Sequence, residues 1–511
     1  MKSHKYLVLL GLAWLCSCTN LDEHLNQDLT KSEAEAYLNA HTDVNAILKS
    51  AYDGLRLPFL DQAQFWAAQE HTSDEVLGPT RGPDWDDNGV WRVLHSHQWT
   101  ADHAFLSASF NSLLQEVFTS SNILNFNTTP QQAAEARFLR DFSMFAVADG
   151  WNQVPYRAPG ENLLNAPQVL KGSAALDFVI SDLTAILNDL PAAPPVNKAN
   201  QDAAKVLLMK AYLNKGTFAN RQSPTFDAGD MNQVISLADA IINSGKYSLD
   251  GNYFENFAPN NDANSSENIW TLATAAGVNP GPNTGNGVRS RWFCTLHYNQ
   301  NPSGWNGFTT LSDFYDSFES GDVRKGGSYP GVTDVSGLKV GFLIGQQYDQ
   351  NGVALKDRKG NDLSFTPEIN PVETGNNLEV TGIRVVKYPP DFANGDFKDN
   401  DYVFFRYADV LLMKAEALLR TGNASGALDI VNNLRTVRNA SQLGSLDLDG
   451  LLAERGRELY WEGWRRQDMI RFGHFLDARQ GKAVSGPERL LFPIPAAALS
   501  VNPNLEQNPG Y

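Results

Sequence analysis

Apolar residues recur at helical spacing along much of this chain, most clearly near its C-terminal end. Ala408, Leu411, Leu412, Ala415 and Leu419 fall on one stripe, with Asp409, Met413, Glu416 and Arg420 opposite, which predicts an amphipathic helix. Gly422-Asn423 ends it. A second helix follows, with Ala424, Ala427, Leu428, Val431 and Leu434 on its stripe and Arg435 and Arg438 near the end where the helix dipole favours cations. So tight a turn makes the two helices antiparallel neighbours. A third helix is predicted over 448–472 from Leu448, Leu451, Leu452, Leu459 and Tyr460, with Glu454 and Arg457, and Glu462 and Arg466, at pairing spacings.

The same period appears earlier. Val44, Ile47, Leu48, Ala51 and Leu55 follow it, as do Leu106, Phe110, Leu113, Leu114 and Val117. Glu135-Ala-Arg-Phe-Leu-Arg-Asp141 opens a helix expected to end near Gly150-Trp151, and Ala204, Leu207, Leu208 and Ala211 are expected to pair with Val234, Ala238, Ile241 and Ile242. Repeated antiparallel pairs make a superhelical scaffold. Small residues at Ala415, Gly422, Ala424 and Ala427 resemble a tetratricopeptide helix pair, whose small positions let helices approach closely. The expected fold is therefore mainly α, with tetratricopeptide-like helix pairs in a superhelical scaffold, long ordered loops and a few short β-hairpins. Residues 275–390 carry no sustained period and read as loop-rich, with short alternating segments at 338–344 and 382–386 expected to form hairpins.

The run Arg406-Tyr-Ala-Asp-Val-Leu-Leu-Met-Lys-Ala-Glu-Ala, then Asn433-Leu-Arg-Thr-Val-Arg438, then Glu454-Arg455 through Arg471, resembles the C-terminal signature of the SusD/RagB family of outer-membrane nutrient-binding lipoproteins. That resemblance implies a non-catalytic surface protein that binds oligosaccharide and passes it to a SusC-type TonB-dependent transporter. Relatives of the RagB type take oligopeptide instead, and that remains the alternative cargo. Within this run Trp461, Glu462 and Trp464 are expected to lock helix against helix. Along the chain, 1–17 is expected to be a lipoprotein signal peptide, 18–265 a helical N-terminal region, and 266–511 the SusD/RagB region, helical over 404–473.

The N-terminus fits that picture. Lys2 and Lys5 precede an apolar run of about ten residues, too short to span a bilayer and suited to a secretory signal. Leu15-Cys16-Ser17-Cys18 resembles a lipobox, with Cys18 the better acylation site because Leu15 is too bulky for the position before a cut at Cys16. Asp22 and Glu23 after it resemble a surface-export tether, so outer-membrane anchoring through lipid is expected. Cys294 is then the only unmodified thiol, and no disulfide framework is possible. A net charge of -17 argues against a nucleic-acid partner, which needs a basic face.

Candidate ligand chemistry lies in two loops. The run 78–91 holds Arg81, Trp85 and Trp91 among turn formers; the second loop holds Trp292, Tyr298, Asn299 and Trp305. A sugar ring offers an apolar C–H face to an aromatic plane and a rim of hydroxyls to Asn, Asp and Arg. Trp66 and Trp99 sit in helical contexts and are expected in the core. Asp84, Asp86 and Asn88 before Gly89 match the first half of a calcium loop, but His95 stands where the closing Glu belongs, so calcium is a weak candidate and no other cofactor is expected. His95, His97 and His103 lack a companion carboxylate or Cys at zinc spacing. Thr72-Ser73-Asp74-Glu75 is expected to cap or orient the loop that follows. No nucleophile elbow, phosphate loop or zincin helix is present, and no enzyme activity is expected.

Overall fold

The computed structural model describes residues 31–274, 287–375, 378–395 and 399–511. Cys18 and the acidic tether lie outside them, as does 275–286 of the second loop. The Lys31–His41 helix belongs to a separate N-terminal unit. Everything after residue 43 packs as one unit.

In that unit the helices stack in chain order. Ala104–Ile123 packs on Pro130–Trp151, then come Ser173–Ile186, Gln201–Ala219 and Ala228–Ile242, each against its predecessor. Pro130–Trp151 starts earlier than its apolar pattern suggested, because Thr129 and Gln132 form a reciprocal capping box and Pro130 occupies the first turn. Its whole circumference is buried from Phe138 to Trp151. It ends at Asn152, whose φ of 61° breaks the helix.

After residue 242 the chain leaves the stack and re-enters it at Tyr407–Arg420, which packs directly on Ala228–Ile242. Strands Asn268–Leu272 and Tyr402–Arg406 pair antiparallel at the start and finish of this excursion. The tetratricopeptide-like array is thus continuous in space across a long insertion, and the insertion carries the second loop. The segments at 338–344 and 382–386 do not each close a hairpin but pair with each other, while short local antiparallel bridges form at Tyr348 with Ala354 and Lys356 with Asp362. Val340–Leu343 pairs antiparallel with Arg384–Val386, and Gly345–Gln346 with Ser364–Phe365.

Ala408, Leu412 and Ala415 meet Ala427, Val431 and Leu434 in a small core of their own, as their stripes predict. The opposite stripe is not solvated. Asp409 takes Lys210 at 2.6 Å and Arg455 at 2.9 Å, and Glu416 takes Arg471 at 2.8 Å. Burial opposes the charge on Glu416, but Arg471 and Arg420 outweigh it and hold the carboxyl down at about 2. This helix is amphipathic in sequence and interior in structure because other helices bring arginines to its polar face.

The predicted 448–472 helix is two helices, Leu448–Leu459 and Arg465–Phe472. Trp461 and Gly463, at φ of 61° and 87°, turn the chain between them. Glu75 Oε2 accepts the Trp461 N–H at 2.9 Å, Glu70 Oε1 accepts the Gly463 N–H at 2.5 Å, and Asp74 holds Arg465 at 2.7 Å. Glu70, Asp74 and Glu75 therefore anchor this distant turn, while the Ser73 hydroxyl accepts the Glu75 N–H at 3.1 Å where the first loop begins. Glu454 and Arg457 pair as expected, whereas Glu462 turns to Arg406 and Lys387, and Arg466 to Asp149.

Glu116, on the 104–123 helix, is 2% exposed, and among the described residues only the Ser120 hydroxyl donates to it, at 2.6 Å. Burial pushes its carboxyl up to about 8 against that hydrogen bond. Folding then keeps a proton that the unfolded chain releases near 4.5, so this group destabilises the fold progressively as pH rises from there to about 8. The slope is about 1.4 kcal/mol per pH unit. Glu116→Gln keeps the shape and removes the slope: its denaturant stability should match the parent near pH 5 and exceed it by a few kcal/mol near pH 8. Parallel pH profiles for the two proteins would show Glu116 to be ionised in the fold.

Candidate functional site

Beyond the anchor at 72–75 the first loop is pinned twice. Leu77 exchanges backbone hydrogen bonds with Thr309, and Thr80–Arg81 pairs in parallel with Val372–Glu373. Between Gly82 and Gly89 the backbone then turns through positive φ at Trp85, Asp87 and Asn88, at 60°, 39° and 55°. Left-handed backbone at three non-glycine residues costs free energy and persists only where surroundings over-determine it. Here they do. The Trp85 indole N–H donates to the Trp305 carbonyl at 2.7 Å, and its ring lies on Gly307, where any Cβ would run into it. The Trp91 indole N–H donates to Asp87 at 2.9 Å. Arg92 holds Asp86 at 2.8 Å and also bonds the Thr80 hydroxyl.

The second loop folds back on itself. Trp305 N–H donates to the Phe293 carbonyl at 2.8 Å and Asn306 N–H to that of Leu296 at 2.7 Å. This sets Trp305 beside Trp85, with ring centres 6.2 Å apart and planes at 58°. Trp91 stands 5.5 Å from Trp85 at 66°. Phe308 closes the floor beneath Trp85 and Trp91 at 5.1 and 5.0 Å.

The result is an open cavity of about 310 Å³ lined by Gln62, Asp84, Trp85, Asp87, Trp91, Tyr298 and Trp305. Tyr298 is fixed by its surroundings. Its hydroxyl donates to Asp84 at 3.1 Å, and the Arg358 guanidinium lies 3.9 Å over its ring. Burial, then the Asp84 charge, pushes that phenol up to about 12. Arg358 also bonds Asp84 at 3.0 Å and Glu379 at 2.7 Å. His297 Nε2 lies 2.9 Å from Glu379, while its Nδ1 accepts the Asn299 N–H at 3.1 Å, so the ring is neutral with its proton on Nε2. Burial keeps that ring below its usual range despite Glu379. Flat indole faces with a few convergent polar groups form a surface that can stack on a small ring and hydrogen-bond its rim.

The sequence model of the SusD family matches residues 257–511. The chain is 26% identical over 420 residues to the starch-binding protein SusD of Bacteroides thetaiotaomicron, covering 75% of this chain and 73% of that one. This chain belongs to the SusD/RagB family. A SusD-like protein of Formosa agariphila, P38, is 24% identical over 99% of this chain and 98% of its own length. A solved SusD superfamily protein from Parabacteroides distasonis superposes with a TM-score of 0.70 at 19% identity, covering 95% of this chain and all of that one, and so shares the fold. The stretch matched by the family model includes Tyr298 and Trp305 but not Trp85 or Trp91, so the cavity straddles its border.

Of the residues singled out in the sequence, Trp85, Trp91, Tyr298 and Trp305 come together at the cavity, from loops about two hundred residues apart, with Trp91 itself only 4% exposed and packed in the main core. Trp292 does not join them. It is 2% exposed and packs in the main core, because the short Ser290–Phe293 helix turns its face inward. Arg81 is also interior, its guanidinium donating to the carbonyls of Leu378 and Thr381 and to the Thr381 hydroxyl, so it closes the insertion rather than facing a ligand. Asn299 is exposed outside the cavity lining and donates to the Lys356 carbonyl at 2.9 Å. Trp66 and Trp99 are core, as expected. Asp84 and Asp86 turn to different arginines, and Asn88 makes the bend beside them. Among the described residues no group of three or more His, Cys, Asp or Glu gathers as a metal site. His95, His97 and His103 each face a backbone carbonyl, of Gln480, Thr72 and Val90. Gln62 and Arg358 were missed: neither belongs to an aromatic run, and only folding brings them near Asp84 and Tyr298.

Proposed function

We propose that this chain is a non-catalytic, lipid-anchored cell-surface protein that captures oligosaccharide and delivers it to a SusC-type transporter. The observation that carries this reading is the convergence of Trp85, Trp91, Trp305 and Tyr298, from two distant loops, around one open cavity with Gln62, Asp84 and Asp87 at hand. The starch-binding name of its Bacteroides thetaiotaomicron relative supports a glycan as cargo. No helix of the described residues is long and apolar enough to cross a membrane. On this reading the anchor is lipid on Cys18. One acyl chain binds a bilayer only marginally, so stable retention needs several.

In affinity electrophoresis and calorimetry of the purified protein against polysaccharide and oligopeptide panels, at least one glycan should bind and remain intact, and peptides should not. Peptide binding without glycan binding would transfer the cargo to the RagB-type alternative. Release of shortened products would make the protein an enzyme.

A further inference from the structure

Charge is distributed unevenly around the cavity. Its charged lining residues are Asp84 and Asp87, and no lysine or arginine lines it among the described residues. The two cations within reach that keep solvent exposure, Arg358 at 47% and Arg92 at 29% of the side chain, are already engaged. Arg358 is held by Asp84 and Glu379, and Arg92 by Asp86. At the surface the carboxylates of Asp84, Asp86, Asp87 and Glu379 thus outnumber the guanidiniums of Arg92 and Arg358, while those of Arg81 and Arg384 are buried and donate to backbone carbonyls, and His297 is neutral. Asp86 keeps 49% of its side chain in solvent, and Asp87, exposed on the same turn, receives the Trp91 indole N–H.

A bound carboxylate or sulfate is ordinarily met by an arginine fork, a lysine or a nest of backbone N–H groups. This cavity offers acceptors instead, and the negative faces of its indoles add to the repulsion. A sugar hydroxyl suits it better, since it donates to Asp87 while Gln62 can donate or accept. We infer that the cavity selects uncharged glycans and rejects carboxylated or sulfated ones. The inference rests on the glycan-binding reading above and narrows its substrate class.

Calorimetry of the purified protein with two sets of hexasaccharides tests it. The neutral set is malto-, cello-, laminari- and xylohexaose; the anionic set is galacturonate, mannuronate and sulfated galactan hexamers. In low salt the best anionic ligand should bind at least about tenfold more weakly than the best neutral one. That gap should narrow as salt shortens the screening length from about 30 Å to about 10 Å. In Asp87→Asn the gap should shrink by roughly threefold to tenfold. An anionic hexamer binding as tightly as the best neutral one overturns the inference and leaves glycan capture standing. Silence from both sets removes glycan capture, and the inference with it.

Discussion

Arg406→Met should lose roughly 3–5 kcal/mol of unfolding free energy, the cost of leaving buried charges uncompensated. Arg406 is 1% exposed and stands where the insertion returns to the helical stack. Its Nη1 donates to Glu458 at 2.7 Å and Glu267 at 3.0 Å, and its Nε and Nη2 each donate to Glu462 at 2.9 Å. One guanidinium thus joins the residue just before the Asn268–Leu272 strand, the end of the 448–459 helix and the turn after it. Arg438 and Arg324 still reach Glu458 in the variant, and Arg438 still reaches Glu267 at 2.6 Å. Among the described residues Glu462 keeps only Lys387, at 2.9 Å, as an ion-pair partner. Adding Glu462→Gln to Arg406→Met should therefore recover part of the loss, with a coupling of about 0.5–3 kcal/mol. Denaturant melts of both variants read this directly. A loss below about 1 kcal/mol for Arg406→Met, typical of an exposed pair, would show the network to be dispensable.

This network also shows what could and could not be read from sequence. The helix stripes through Leu412 and Val431 were legible because a helix must bury one apolar face wherever it packs. The same logic placed Asp409 and Glu416 on the opposite stripe, but periodicity cannot reveal that Lys210, Arg455 and Arg471 are the partners delivered to them from elsewhere. The break at 460–464 escaped for a related reason. Gly463 is compatible with a turn, but Trp461 adopts φ of 61° only because Glu75, nearly four hundred residues earlier, takes its backbone N–H. At the cavity, aromatics in turn-rich loops pointed to the correct two segments. They could not separate Trp305, left outside, from Trp292, turned in by one short helix, because both sit in the same composition.

That separation yields the sharpest functional test. Trp305 keeps 47% of its surface in solvent, touches Phe293 at 4.5 Å and contributes its carbonyl, not its ring, to the bond with Trp85. Truncating it to Ala retains the carbonyl and removes the ring. If the cavity stacks a sugar there, Trp305→Ala should weaken glycan binding by about 2 kcal/mol, the scale of an aromatic hot spot. That corresponds to about thirtyfold in Kd. The melting temperature should stay within a degree or two, because little buried surface is lost. Trp292→Ala should behave oppositely. It empties a site in the core at a cost of about 3–5 kcal/mol, while the folded fraction binds glycan with an affinity close to the parent's. Calorimetric Kd and thermal melts on both variants decide the matter. If Trp305→Ala binds like the parent while Trp292→Ala binds poorly at full occupancy of the fold, the ligand lies elsewhere than in this cavity. The contrast works because the two indoles share a loop and differ in which side of it they face.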